Sequence, residues 1–326
     1  MRYLLSRLGL YVVAGFLSIT FNFFLPRFMP GDPAAALFGR FQGRLKPEAL
    51  DALRHAFGFS DAPFLSQYFS YLKELFQGNL GVSVAYFPAP VSEVIMSGLG
   101  WTMLLAGVSV LIAFVLGTSL GVLLAWRRGS VWDTTLPPLL ALLGAFPYFW
   151  TAMALLFFLG FQMGWFPLRH AHSAHLSPEF SASFAWDVWV HLALPAFTLV
   201  LTALGGWMLS MRNNMISVLG TDYITLARAK GLSEKRVMWA YAARNALLPN
   251  VTGLGMALGF VVSGALLTEI IFSYPGVGYL MLQAIRAQDY PLMQGLFLNI
   301  TFAVLLANFL VDIAYQFLDP RTRSDG

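Results

Sequence analysis

Hydrophobic positions fill long uninterrupted stretches of this chain, and polar positions fall between those stretches. Runs free of Asp, Glu, Lys and Arg extend from Leu8 to Pro26, Val94 to Trp126, Thr134 to Leu168, Val188 to Met211, Asn245 to Thr268 and Tyr290 to Val311. A helix needs roughly 20 residues to cross the hydrocarbon core of a bilayer, and lipid gives its backbone no outside partner. The pattern predicts an all-α membrane protein with six transmembrane helices. Arg2 and Arg7 precede the first run as they would in a signal peptide. That run is longer than a usual signal core, and Phe28-Met29-Pro30-Gly31 stands where a small-x-small cleavage site would be, so residues 1–28 read as an uncleaved first transmembrane helix.

The polar segments carry patterns of their own. Leu65, Tyr68, Phe69, Leu72, Leu75 and Phe76 recur at helical spacing on one face, and Pro47 opens a shorter stretch that places Leu50, Leu53 and Phe57 alike. Residues 29–97 therefore read as an extracytoplasmic helical cap, with Leu65, Phe69, Leu72 and Phe76 over the mouth of the membrane region. The alternative is a packing element without contact to solute. Residues 98–318 form a five-helix core containing a cytoplasmic loop over 212–249, and 319–326 form a cytoplasmic tail.

Orientation follows from Lys and Arg in short segments. With the N-terminus inside, the inner segments hold Arg2, Arg7, Arg127, Arg128, Arg212, Arg228, Lys230, Lys235, Arg236, Arg244, Arg321 and Arg323, against Arg169 and Arg286 in the short outer loops. Both ends are expected inside.

Composition narrows the chemistry. Charged residues make up 11% of the chain, against about 25% in soluble domains. The net charge of +4 comes from basic residues between spans, not from the clustered soluble face of a nucleic-acid binder. Without cysteine there are no disulfides, thiolate catalysis, Fe–S clusters or cysteine-based zinc sites. His170, His172 and His175 could offer imidazoles to a metal, or simply belong to an exposed loop edged by interfacial Trp186 and Trp189. Glu269 and Asp312 interrupt apolar runs near their ends, which suits either ion coupling or hydrogen-bonded structural roles. Gly117 with Gly121, and Gly255 with Gly259, have the spacing that lets helices approach closely.

The segment from Arg212 to Pro249 parses into two short helices. Thr221-Asp222 can cap the first, Gly231 fits the left-handed position that closes it, and Ser233 can cap the second. A short helix on such an elbow suits transmission of motion from a soluble partner, or else lies against lipid as an amphipathic turn.

Ala227-Arg-Ala-Lys-Gly-Leu-Ser233 followed by Arg244-Asn-Ala-Leu-Leu-Pro249 resembles the coupling loop of ABC-importer inner-membrane permeases, in the variant of the dipeptide/oligopeptide/nickel (binding-protein-dependent) permease family. The resemblance spans nearly the whole chain: Pro30-Gly-Asp-Pro33, Gly78-Asn-Leu-Gly81 with Ser83, Tyr274-Pro-Gly-Val-Gly278, Asp289-Tyr-Pro291 with Gln294-Gly295, and Leu318-Asp-Pro-Arg321 occur in order. Thr225-Leu-Ala227 replaces the Glu-Ala-Ala of the general importer loop, and Tyr241 stands where this variant often has histidine.

The resemblance implies one half of a translocation pathway, completed by a second homologous permease subunit. It also implies two cytoplasmic ATPase subunits that bind ATP and Mg, an extracytoplasmic solute-binding protein, and a multi-pass location in a bacterial or archaeal cytoplasmic (inner) membrane. Tyr223, Ala227, Arg228, Ala229, Lys230, Gly231, Leu232, Ser233, Arg244 and Asn245 would form the ATPase-coupling site. The chain itself would be non-catalytic and would hold no cofactor or metal, and no Gly-x-x-x-x-Gly-Lys-[Ser/Thr] loop occurs to bind ATP. Short peptides are the expected solute, with oligosaccharides, nickel or other small solutes as alternatives. An ion-coupled secondary transporter and a membrane enzyme are the readings from other classes. The first lacks a paired repeat of broken spans, and the second lacks a His-Glu-x-x-His or other convergent catalytic set.

Overall fold

The computed structural model describes residues 2–28, 63–176, 181–261 and 265–318, and all its regular elements are helices. The α-helices of six residues or more are, in chain order, α1 (Arg2–Phe28), α2 (Phe64–Phe76), α3 (Val91–Trp126), α4 (Val131–Ala145), α5 (Tyr148–Leu155), α6 (Ala182–Leu219), α7 (Asp222–Ala229), α8 (Leu248–Phe260), α9 (Leu266–Ile271), α10 (Val277–Ala287) and α11 (Tyr290–Leu318). The stretches around Pro47 and Pro30-Gly-Asp-Pro33, and the tail from Asp319, lie outside the described residues.

Among the described residues, α1, α3, α6 and α11 are long and apolar enough to cross a membrane, and α4 with the helix after it passes the same test when the bent pair is taken as one span. The expected span from Thr134 to Leu168 is thus bent by 95° between Ala145 and Tyr148. Pro147 is the cause: it forces Phe146 into an extended conformation (φ −73°, ψ 139°) and opens a new helix, which runs on as a π-helix over Leu156–Gln162. Within the run from Asn245 to Thr268 the described helices are α8 and the start of α9, and residues 262–264 between them lie outside the described residues.

Two seams hold the bundle. Helices α3 and α6 touch backbone to backbone along Gly117 and Gly121; a Cβ on Gly121 would stand 2.6 Å from the Met208 carbonyl oxygen and 2.8 Å from Met211 Cβ. Helix α1 lies along α11, tied at one end by reciprocal bonds, Asn22 Nδ2 to the Gln294 carbonyl (2.9 Å) and Gln294 Nε2 to the Asn22 carbonyl (3.1 Å). At the other end the Tyr11 hydroxyl donates to Asp312 (2.6 Å) and Arg7 pairs with the same carboxylate (3.6 Å). The second glycine pair behaves differently. Gly259 meets Ala307 of α11, whereas Gly255 faces open space and supports no close approach.

The Gly121 seam leaves no room for a larger residue on either side. Gly121→Leu should abolish recovery of folded protein from detergent extracts, while Gly255→Leu leaves recovery near wild type, as size-exclusion profiles of fluorescent fusions would show.

Candidate functional site

The candidate site is the elbow between α6 and α8. Helix α7 is amphipathic: Ile224 and Ala227 are buried in a cluster with Val122 and Ala125 of α3, Met211 and Met215 of α6, and Val237 and Met238 beyond the bend. Its opposite face is open, with Tyr223 at 40% and Leu226 at 55% exposure. The helix is therefore bolted to the α3–α6 seam on one side and presents tyrosine, leucine, Ala229 and Lys230 on the other.

Gly231 has φ +75°, the left-handed conformation its position required. Its N–H donates to the Arg228 carbonyl (2.9 Å) and that of Leu232 to the Ala227 carbonyl (3.4 Å), the paired bonds that close a helix at a left-handed residue. The expected caps hold in position but not in chemistry. Thr221 and Ser233 stand at the N-caps in extended conformations, yet neither side chain caps; the Thr221 hydroxyl turns back to the Val218 carbonyl (2.6 Å). Beyond the bend, Glu234–Arg236 leads into a π-helix over Val237–Ala243 and then Arg244–Ala246.

Within the expected coupling set, Ala227 is an anchor and Leu232 is half-buried, whereas Tyr223, Ala229, Lys230, Ser233, Arg244 and Asn245 are exposed. Arg228 is engaged locally: it pairs with Glu234 across the bend (3.4 Å) and lies 5.3 Å from the Trp126 ring centroid at the end of α3. An exposed pair of this kind contributes roughly 0–1 kcal/mol, and the contact with Trp126 is the one that links the Arg228 side chain to α3. Leu226 and Trp239 are exposed as well; the periodicity of α7 accounts for Leu226 on its open face, and no motif marks Trp239.

The other candidate residues are spread over the molecule. Glu269 is fully buried and accepts from Thr102 Oγ1 (2.7 Å) and the Gly278 N–H (2.6 Å), so it binds α3 to the start of α10. Asp289 is buried too, taking bonds from the Ser83 hydroxyl, the Ala85 N–H (2.8 Å) and the Leu292 N–H (3.1 Å). His172 contacts the rings of Trp101 and Phe184, and Ser173 beside it donates to Asp187 from both N–H (2.6 Å) and Oγ (2.8 Å). Among the described residues no three of His, Asp and Glu are placed to hold a metal, the histidines 170, 172 and 175 included. In α2 the expected single face is divided. Tyr68 and Tyr71 pack on Phe23 and Leu72 is half-buried, while Leu65, Phe69 and Phe76 are exposed among the described residues.

Residues 117–324, which hold the α3–α6 seam, the elbow and everything after it, match the binding-protein-dependent transport system inner membrane component. Residues 1–97 match the N-terminal part of the binding-protein-dependent transport system membrane component. The chain belongs to this family. It is therefore a non-catalytic membrane subunit of an ABC importer, one that works with a solute-binding protein and an ATPase. Its similarity to individual permeases extends end to end. The dipeptide transport system permease protein DppB of Lactococcus lactis subsp. cremoris is 34% identical over 324 residues, with 99% of each chain covered. DppB of Escherichia coli K12 is 34% identical over 341 residues, also with 99% of each chain covered. The oligopeptide transport system permease protein AppB of Bacillus subtilis is 34% identical over 306 residues, with 92% of each chain covered.

Proposed function

We propose that this subunit imports short peptides, pairing with a second permease of the same family and with two ATPase subunits that carry ATP and Mg. The solute is inferred from full-length similarity to permeases named for dipeptides and oligopeptides. The elbow carries the mechanism. Helix α7 is anchored by Ile224 and Ala227 and open along Tyr223, Leu226 and Lys230, so a partner that grips the open face moves α3 and α6 with it. ATPase closure would then drive a rigid-body switch between outward- and inward-facing arrangements. The same reading gives six spans, with α8 and α9 together as the fifth, both ends in the cytoplasm of a bacterium or archaeon, and 29–97 outside. There Leu65, Phe69 and Phe76, exposed among the described residues, would meet the binding protein or the second permease.

Two measurements test this. The co-expressed binding protein should release di- to pentapeptides on denaturation, read by mass spectrometry, and those peptides should stimulate ATP hydrolysis by the reconstituted complex. Release of oligosaccharide alone would move the solute to the alternative class. For topology, the chain has no native cysteine. Cysteine at Ser233, exposed on the elbow, should react with a membrane-impermeant maleimide only in inside-out vesicles. Labelling from the outside would invert the topology and remove the coupling role.

A further inference from the structure

A polar knot lies where α3, α6 and α8 meet. Asn250 is the third residue of α8, follows Pro249 and is 1% exposed. Its Nδ2 donates to Thr118 Oγ1 of α3 (3.3 Å) and to the Trp207 carbonyl of α6 (3.2 Å), and its Oδ1 accepts from Ser210 Oγ of α6 (2.7 Å). The orientation of the amide is fixed by chemistry: a carbonyl can only accept, so the nitrogen must face Trp207, which leaves the oxygen for Ser210. One side chain thus binds three helices from a position inside an apolar run.

Thr118 lies next to Gly117 and one turn before Gly121, in the stretch where α3 and α6 are in backbone contact. The knot therefore hooks the start of α8 onto the seam that α7 is anchored to through Ile224 and Ala227. The hook adds to apolar packing. Val122 and Met211 of the seam pack with Ala243 and Ala246 just before α8, and Gly253 of α8 lies against the Trp207 ring. An open groove of about 490 Å³, bounded by Phe114, Thr118, Val122, Trp239, Ala243 and Leu247, runs beside this contact, and the Asn250 hydrogen bonds tie the start of α8 to both helices of the seam there.

We propose that Asn250 is a positioning residue for transport, making α8 move with α3 and α6 when the elbow is pushed. This rests on the importer reading. If the knot is cut, α7 still receives the ATPase and hydrolysis continues, but α8 lags behind the seam and fewer cycles carry solute. The consequence is a change in coupling, with more ATP spent per peptide moved.

The test uses the complete complex in liposomes with its binding protein and a mixed pool of di- to pentapeptides, reading ATP hydrolysed per peptide taken up and the melting temperature of the complex. Thr118→Val and Ser210→Ala each remove one bond at nearly constant shape. A hydrogen bond between membrane helices is worth enough to change such a ratio by about threefold to tenfold, so each variant should raise ATP per peptide by that factor. Thr118→Ser and Ser210→Thr keep the hydroxyl and should restore the wild-type ratio. A wild-type ratio in Thr118→Val and Ser210→Ala overturns the proposal. So does a lowered melting temperature with hydrolysis and uptake falling in proportion, which is the signature of a merely structural bond. Absence of peptide stimulation in the wild-type complex would instead strike the importer reading, and the coupling role with it, before any variant is compared.

Discussion

Uptake through complexes carrying Gly231→Val should fall about tenfold or more, while Gly231→Asn keeps most of it. Gly231 sits at φ +75° with nothing within 4 Å of where a Cβ would stand, so the substitution meets no steric neighbour and only the backbone conformation is at stake. A left-handed conformation costs an ordinary L-residue roughly 1–2 kcal/mol, and asparagine tolerates it much better than a β-branched residue. Each ~1.4 kcal/mol is tenfold in population, so valine would drive the bend out of its closing geometry in most molecules. The Leu232–Ala227 and Gly231–Arg228 bonds would then be lost, and α7 would lose its aim while Ile224 and Ala227 stay inserted. Recovery of ATPase subunits on pull-down should fall with uptake, and recovery of the permease itself should not. Wild-type ATPase recovery and uptake with valine in place would show that the bend carries no signal.

The largest effect on stability is expected at Arg212→Ala. Arg212 Nε and Nη2 engage both oxygens of Asp133 (2.6 and 3.0 Å), with the carboxylate side chain only 4% exposed. The pair joins the first turn of α4 to the last third of α6, and the Gly129 N–H adds a bond to the same carboxylate (3.0 Å). Removing the guanidinium leaves a buried charge without its counter-ion, a loss of roughly 3–5 kcal/mol. The complex should fail to assemble at growth temperature and melt far below wild type in detergent. Arg212→Met with Asp133→Asn removes both charges and should recover most of that loss, since well-packed neutral replacements of a buried pair are often tolerated. If the double variant is as unstable as Arg212→Ala, the pair matters for its hydrogen-bond geometry rather than for charge balance.

The sequence by itself determined the class. An apolar run of twenty or more residues has one stable form in lipid, because only a helix satisfies its backbone there, and so the all-helical membrane fold could be read directly. Local backbone chemistry was equally legible where a single residue type decides it. Gly231 had to take positive φ and α2 had to be amphipathic, whereas the same glycine spacing gave a close approach at Gly117 and Gly121 and none at Gly255.

Tertiary structure alone decided which residues meet. Asp133 and Arg212 were merely the bounds of apolar runs until folding set them against each other across 79 positions. Ser83 and Asp289 stand in separate motifs 206 residues apart and share one buried hydrogen bond. Glu269 could equally have faced a solute path, and it is enclosed by Thr102 and Gly278 instead. The two tyrosines of α2, not Leu65 or Phe69, turn to the chain because Phe23 happens to lie opposite them. Asn250 is one polar residue in an apolar run, and its partners come from two other helices. Hydropathy reports the transfer of each segment into lipid one residue at a time. Hydrogen bonds and ion pairs between helices depend on distances of about 3 Å, and chain order does not encode those until the bundle has packed.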